Sequence, residues 1–297
     1  MEILRGGVTR VVVHCPRQFK WQPGQHCFIS IPGISPVQSH PFTIVSLSSA
    51  IALDGQNDVV LLIRAMEGFT KRVAELAKRS EEANRNSGGR LAAIAEAQKT
   101  QIHTRSWIDG PYGDSHPAFD RKYHGVVCIS GGSGITASLP WVTYVAAKMK
   151  AAAHCSARSE DNSCKTRSVH LFWSVRDLDW IQWAERELST ALRDVMRANN
   201  PFSETETPNA TKREEFKTEE ILPVPNKSRY RLAVTIFVTA RNVDEARMSA
   251  AASALLSRAG VGTNDSYVQV EVRNGRPDYE TLLPRMMDRK RNIVLAW

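Results

Sequence analysis

The chain has 297 residues, 42% of them apolar and 24% charged, with a net charge of +8 at pH 7 and a mean hydropathy of −0.32. That is the composition of a globular protein long enough for two domains, either of which can bury a core without disulfides or metals. It excludes a bilayer-spanning segment, because the most apolar stretch, Val126 to Ala147, is interrupted by Gly131, Gly132, Gly134 and Pro140. The positive charge suits a polyanionic ligand or a face turned toward anionic lipid; no basic stripe interleaved with aromatics points to nucleic acid.

Short strands are predicted through the first 115 residues. "VTRVVVHCP" and "QHCFISIP" are β-rich and parted by the Pro-Gly turn of "WQPGQ". "HPFTIVSLS" and "NDVVLLIRAME" follow, with a hairpin-type Asp54-Gly55 between them. A short helix is expected from near Thr70, in "TKRVAELAKR". This spacing predicts a small antiparallel β-barrel domain over 1–115, with a polar insertion at 80–105 that begins in "SEEANRNSGG".

After "DGPYGD" the texture changes to alternating strands and helices. "GVVCIS" is a continuous apolar run, as in a strand covered on both faces of a parallel sheet. A helix is predicted from Thr136 to Ala153, then the strand "SVHLFWSV", then a helix from Leu178 to Asn199. "RLAVTIFVTA" is a further buried strand, "DEARMSAAASALLSRAG" a helix, and "YVQVEVRNGRP" and "NIVLAW" complete the strands. The order predicts an α/β domain over 116–297 built on a Rossmann-like, doubly wound parallel sheet. The polar segments 155–168 and 200–228 read as disordered.

Cys15, Cys27, Cys128, Cys155 and Cys164 are odd in number and include no C-x-x-C pair, which predicts free thiols and a reducing compartment. His14-Cys15 and His26-Cys27 suggest a metal clip, but neighbours on a strand face opposite ways, so no metal is expected.

Three stretches carry chemistry. In "GVVCISGGSGIT" a buried strand ends in a glycine-rich turn that opens into a helix. Gly131, Gly132 and Gly134 let the backbone approach a pyrophosphate, and Thr136 is placed as a cap or first-turn donor. The G-G-x-G spacing is not the usual Rossmann fingerprint, and a tight connection is the plain alternative. "WSVRD" closes the next strand at the sheet edge where such folds bind ligands. There Arg176 suits an adenosine 2′-phosphate and Asp177 a ribose hydroxyl; a capping Asp beside a solvated Arg is the third possibility. "QSHPFTIVS" puts His40, able to reach a phosphate, Phe42, able to cover a ring, and Thr43, able to bond a ring nitrogen, on one strand. Pro41 removes a backbone donor, as expected at an edge or bulge.

Together these motifs resemble the ferredoxin-NADP reductase superfamily, and within it the FAD- and NADPH-binding dehydrogenase region of fungal ferric reductases and NADPH oxidases. The resemblance runs in order through nearly the whole chain. It identifies His-Pro-Phe-Thr at 40–43 as the flavin motif, with His40 toward the FAD phosphates, Phe42 against the isoalloxazine and Thr43, the catalytic group, near N5. "GFTKRV" is similar to the second flavin element, in which Gly68 and Thr70 meet the pyrophosphate. "WQPGQHCFISIP" is similar to the barrel signature, and "DGPYG" to the link between domains. "GGSGIT" resembles the NADPH pyrophosphate loop, and "GRPD" the later contact through Arg276 and Pro277. What this implies is hydride transfer from NADPH to FAD, then single electrons passed toward heme and ferric chelates. A superoxide-forming oxidase, a reductase with a diffusible acceptor and a non-catalytic flavin-binding module are the alternatives. The family carries its heme in a membrane domain upstream, on whose cytosolic side this region sits, and continues into a Cys-Gly-Pro tail. With "NIVLAW" ending at Trp297, the resemblance implies truncation at both ends.

Overall fold

The computed structural model describes residues 1–52, 57–86, 104–114, 119–154, 164–200, 229–240, 243–263, 265–286 and 292–296. The Asp54-Gly55 turn, Cys155, Trp297, residues 87–103 of the first insertion and 201–228 of the last lie outside the described residues.

The first domain is a barrel made of two three-stranded antiparallel sheets. One has the order β1 (Glu2–Leu4), β2 (Val8–His14), β5 (Asp58–Arg64). The other has β4 (His40–Thr43), β3 (His26–Ser30), β6 (Trp107–Tyr112). Their inward residues form one core, in which Val11, Cys27, Ile29, Val59, Leu61 and Ile63 meet Phe69 and Val73 of helix α2 (Phe69–Asn86). The sheets are joined just after β4: Ile44 N–H donates to Gln25 O, and Val45 N–H donates to Val60 O across to the other sheet. Strand β4 is therefore four residues long rather than running through "TIVSLS", because the chain changes sheets at Ile44. All of "DGPYG" but its last glycine lies within β6, and it contains a cis Gly110–Pro111 bond. Helix α2 runs on through Ser80–Asn86, part of the expected insertion. Glu81, a good helix former, also ties that turn to the sheet by accepting from Ile3 N–H at 3.1 Å. Helix α1 (Ser49–Ala52) is one short turn.

The second domain is a five-stranded parallel sheet ordered β10 (Val268–Asn274), β9 (Arg231–Val238), β8 (Ser168–Val175), β7 (Gly125–Gly131), β11 (Asn292–Ala296). From β7 to β10 the chain steps one strand at a time in one direction. Right-handed crossovers then keep α3 (Ile135–His154), α4 (Glu185–Asn199) and α5 (Glu245–Ala259) on one face. The last crossover reverses direction, so α6 (Tyr279–Met286) covers the opposite face, where Leu282 and Leu283 pack on Val127, Phe172 and Phe237. The expected helix from Leu178 begins instead as a 3-10 segment, Leu178–Trp183, capped by Asp177. The stretch expected to be disordered over 155–168 is packed from Cys164 onward: Thr166 Oγ1 donates to Tyr123 O at 2.8 Å.

The two domains share a core. On β5, Val59, Leu61 and Ile63 point into the barrel, while Val60 and Leu62 join the cluster containing Trp141 and Trp183 of the second domain. From Val59 to Ile63 this strand is apolar because both faces are covered, and each such side chain contributes about 1.5–3 kcal/mol. Beside it, Arg10 and Glu187 form an ion pair at 2.5 Å, each side chain about a tenth exposed. Trp183 Nε1–H donates to Arg5 O at 2.6 Å. Gly6 sits at φ +76, and a Cβ there would lie 2.6 Å from Trp180 Nε1. Gly6→Ala is thus expected to destabilise the protein by about 2 kcal/mol or more, from the left-handed backbone and the clash together. A thermal melt unchanged from the parent would refute this close approach.

Candidate functional site

The barrel wall is split beside β4. This strand is at the edge of its sheet, and β5 pairs with β2 only on its far side. The two meet at Val45–Val60, where Ser46 Oγ also accepts from Val60 N–H and donates to Asp58 O. Beyond that point, no ladder joins His40–Thr43 to Leu62–Arg64 among the described residues. Both backbone edges are left with hydrogen-bonding groups aimed into the gap, which a planar ligand with polar edges can satisfy. Pro41, without an N–H, fits this edge position.

Alternation divides the motif between two faces. His40 and Phe42 share the inner side with Ile29 and Cys27, their register partners; Pro41 and Thr43 share the outer side with Phe28 and His26. His40 stacks on Phe69 at 4.4 Å and 26°, and Phe42 lies 6.5 Å from the same ring. His40 Nε2 is buried and has no hydrogen-bond partner, an arrangement that favours a ligand able to reach it. At the end of the gap, Gly68 takes φ +59 to start α2. The Thr70 hydroxyl is used within that turn, accepting from Met66 N–H at 3.0 Å and donating to Glu67 O at 3.1 Å. The turn is thereby fixed, and the first-turn N–H groups of α2 are left without intrahelical partners, as at any helix start. Arg72 adds charge beside it, donating to Gln38 Oε1 at 2.9 Å.

In the second domain the glycine turn follows β7. Gly131 and Ser133 are exposed, Gly132 takes φ +52, and nothing lies within 4 Å of where a Gly131 Cβ would stand. The cradle is open to a bulky anion. It is held from below by a very short Ser130–Ser138 hydroxyl contact and by Trp173 Nε1–H donating to Gly132 O at 2.9 Å. Thr136 Oγ1 donates to Ser133 O at 3.0 Å and closes the turn.

Register brings the other predicted residues to the same sheet edge. Gly131 is opposite Ser174, Val175 opposite Val238, and Val238 opposite Asn274. Arg176 and Arg276 therefore leave adjacent parts of that edge. Both are exposed, and neither has a carboxylate partner among the described residues. Asp177 is engaged as a cap, its side chain accepting from Asp179 N–H at 2.9 Å. Pro277 precedes Asp278, which caps α6 by accepting from Thr281 Oγ1 at 2.5 Å; bonds from Thr281 hold its carboxyl below the usual range.

Trp180 connects the two halves. It stacks on Trp183 at 4.5 Å and 17°, lies 3.6 Å from where a Gly132 Cβ would stand, and supports the Arg64 guanidinium at 5.4 Å. The structure thus brings the glycine turn and the split barrel to the same interdomain region, but separates Phe42 from Thr43. Sequence reasoning missed Arg64, Phe69, Arg72 and Trp180. The signal for two of them was present: Phe69 follows Gly68 directly, and "DLDWIQW" packs two tryptophans into one turn. Two concave regions elsewhere, of about 440 and 510 Å³, lie along β2 and along β10 and contain none of these residues.

A split antiparallel barrel facing a glycine turn on a parallel sheet, with exposed arginines on the sheet edge, defines a two-domain protein that binds two nucleotide cofactors. Residues 1–116 match the family model described as FAD-binding domain, and residues 123–296 match that described as ferric reductase NAD binding domain. The chain belongs to the ferric reductase NAD-binding family, with an FAD-binding domain in front. It is 34% identical over 178 residues to "Probable cell surface ferric reductase kap2" of Aspergillus oryzae, covering 58% of this chain and 19% of that protein. "Respiratory burst oxidase homolog protein B" of Arabidopsis thaliana is 27% identical over 184 residues, covering 60% and 21%. "NADPH oxidase 5" of Homo sapiens is 27% identical over 205 residues, covering 62% and 26%. The matched stretch thus spans about a fifth to a quarter of these curated relatives. Among the described residues, no helix is long and apolar enough to cross a membrane.

Proposed function

We propose that this chain is the dehydrogenase region of a ferric-chelate reductase, taking hydride from NADPH onto FAD and passing electrons singly toward heme and ferric chelates. The observation that carries this reading is the split barrel wall set against the glycine turn across Arg64 and Trp180. FAD, when bound, supplies a ring that accepts two electrons together and gives them up one at a time.

The residues divide that work. The free edge of β4 holds the ring edge-on, with Phe42 on its inner side and Thr43 at N5 on its outer side. That arrangement reconciles the motif with strand alternation, which forbids both from covering one face. His40 and the N–H groups after Gly68, through Thr70, hold the FAD phosphates. Gly131, Gly132, Gly134 and Thr136 seat the NADPH pyrophosphate, Arg176 takes the 2′-phosphate, and Arg276 with Pro277 borders the nucleotide from the next strand. The next electron carrier is heme in a membrane domain on whose cytosolic side this region sits, and ferric chelates beyond it are the terminal acceptors. The 34% identity over 178 residues to a probable cell surface ferric reductase supports the ferric reading. Superoxide formation from oxygen is the second reading, supported by the two oxidase relatives.

Purified protein loaded with FAD should bleach when NADPH is added without air. His40→Ala should lower FAD affinity by roughly tenfold or more, the scale of one charge-assisted hydrogen bond. Thr43→Ala should leave FAD bound but slow bleaching by about tenfold or more. Unchanged FAD binding and bleaching in both variants would refute the placement of the ring at β4.

A further inference from the structure

We propose that His26 is the proton relay of the flavin site, receiving through the Thr43 hydroxyl the proton that N5 must shed as electrons leave. The inference rests on the reading that Thr43 lies beside N5, and it adds a group to which the resemblance gives no role in the flavin chemistry.

Antiparallel pairing sets His26 directly opposite Thr43. Their neighbours Cys27 and Phe42 face the barrel core, so His26 and Thr43 emerge together on the outer face. Directly opposed residues have Cβ atoms about 4.5–5.5 Å apart, a gap that a hydroxyl and an imidazole can bridge. Both residues are half-buried. The ring is bracketed by Phe28 at 5.9 Å and Tyr112 at 6.0 Å, and its nitrogens have no hydrogen-bond partner among the described residues. The titratable groups facing it from β6 are Tyr112 and Asp109, joined by a Tyr112 O–H donation at 2.9 Å. Tyr112 is 42% exposed, so this side of the ring opens to water. His40 lacks such a route, since it faces the inner side against Phe69.

The chemistry requires such a group. Hydride leaves C4 of the reduced nicotinamide with both bond electrons and forms the N5–H bond, giving NADP⁺. When the two electrons depart singly to one-electron acceptors, the N5–H bond breaks and its proton needs a base. Thr43 Oγ takes that proton while its own passes to a His26 ring nitrogen; the imidazolium then releases it to water. The threonine ends as it began, and oxidised flavin is restored. Imidazole is the side chain suited to gain and lose a proton near neutral pH.

The test uses the FAD-loaded protein in stopped flow, with NADPH reduction and ferricyanide reoxidation measured separately across pH. His26→Gln should slow reoxidation by about 10²-fold at pH 7, the low end for general acid–base catalysis, and far more than it slows reduction. Added imidazole should restore the rate. A second readout, needing no turnover, is the pH titration of the His26 Cε1 proton by NMR, which should differ between oxidised and reduced flavin in the wild type and not in Thr43→Val. A reoxidation rate and pH profile unaltered in His26→Gln overturn the relay, as does a His26 titration indifferent to flavin redox state. Where Thr43→Val also leaves both half-reactions unaltered, the placement of N5 fails rather than the relay alone.

Discussion

Replacing Glu187 by alanine is expected to be among the most damaging single changes in the chain, costing about 3–5 kcal/mol. Arg10 reaches Glu187 from the barrel across the domain boundary, and little of either side chain meets water. Removing the carboxylate leaves a nearly buried guanidinium with no carboxylate partner among the described residues. The pair itself contributes much less than that loss suggests, since the desolvation of two charges offsets most of their attraction. Arg10 Nε and Glu187 Oε2 lack partners, so compensation within the pair is incomplete. The double change Arg10→Met with Glu187→Leu should therefore recover most of the stability or exceed the parent. Urea unfolding of the parent, the two single variants and the double variant measures this directly. A double variant as unstable as the singles would show that the pair, rather than the burial, holds the domains together.

The second large effect concerns cofactor choice. Arg176→Ala should weaken NADPH binding by roughly 10- to 100-fold, corresponding to charge-assisted bonds of about 1.5–3 kcal/mol, while NADH binding stays nearly constant. Sequence alone left Arg176 and Asp177 as competing readers of the adenosine end. In the structure Asp177 caps the segment after β8, whereas Arg176 is exposed and without a carboxylate partner among the described residues. Calorimetric titration with both nucleotides tests the assignment, and equal weakening for the two would remove Arg176 from the 2′-phosphate.

The glycine turn was legible because its chemistry is local: one apolar strand, three glycines and a helix start, all within twelve residues from Gly125 to Thr136. The His-Pro-Phe-Thr strand was legible as a list of functional groups, but its geometry was not. Side chains there alternate, and only the pairing of β4 with β3 shows Thr43 beside His26 and His40 against Phe69. The end of β4 was misjudged for a related reason. "TIVSLS" is apolar enough to continue a strand, yet Ile44 and Val45 hydrogen-bond to different sheets, a choice made by where Gln25 and Val60 stand.

By itself, the sequence determined the order of strands and helices, the position of the glycine turn after β7, and the change at about residue 115 from antiparallel to parallel texture. These depend on periodicity, on glycine and proline, and on neighbours within a few residues. The tertiary structure alone decided that "DVVLLIR" serves two cores, that Arg10 finds Glu187, and that Trp180 links Arg64 to Gly132. Arg10 and Glu187 are 177 positions apart, and no local pattern encodes a partner whose place depends on how separate sheets close and dock.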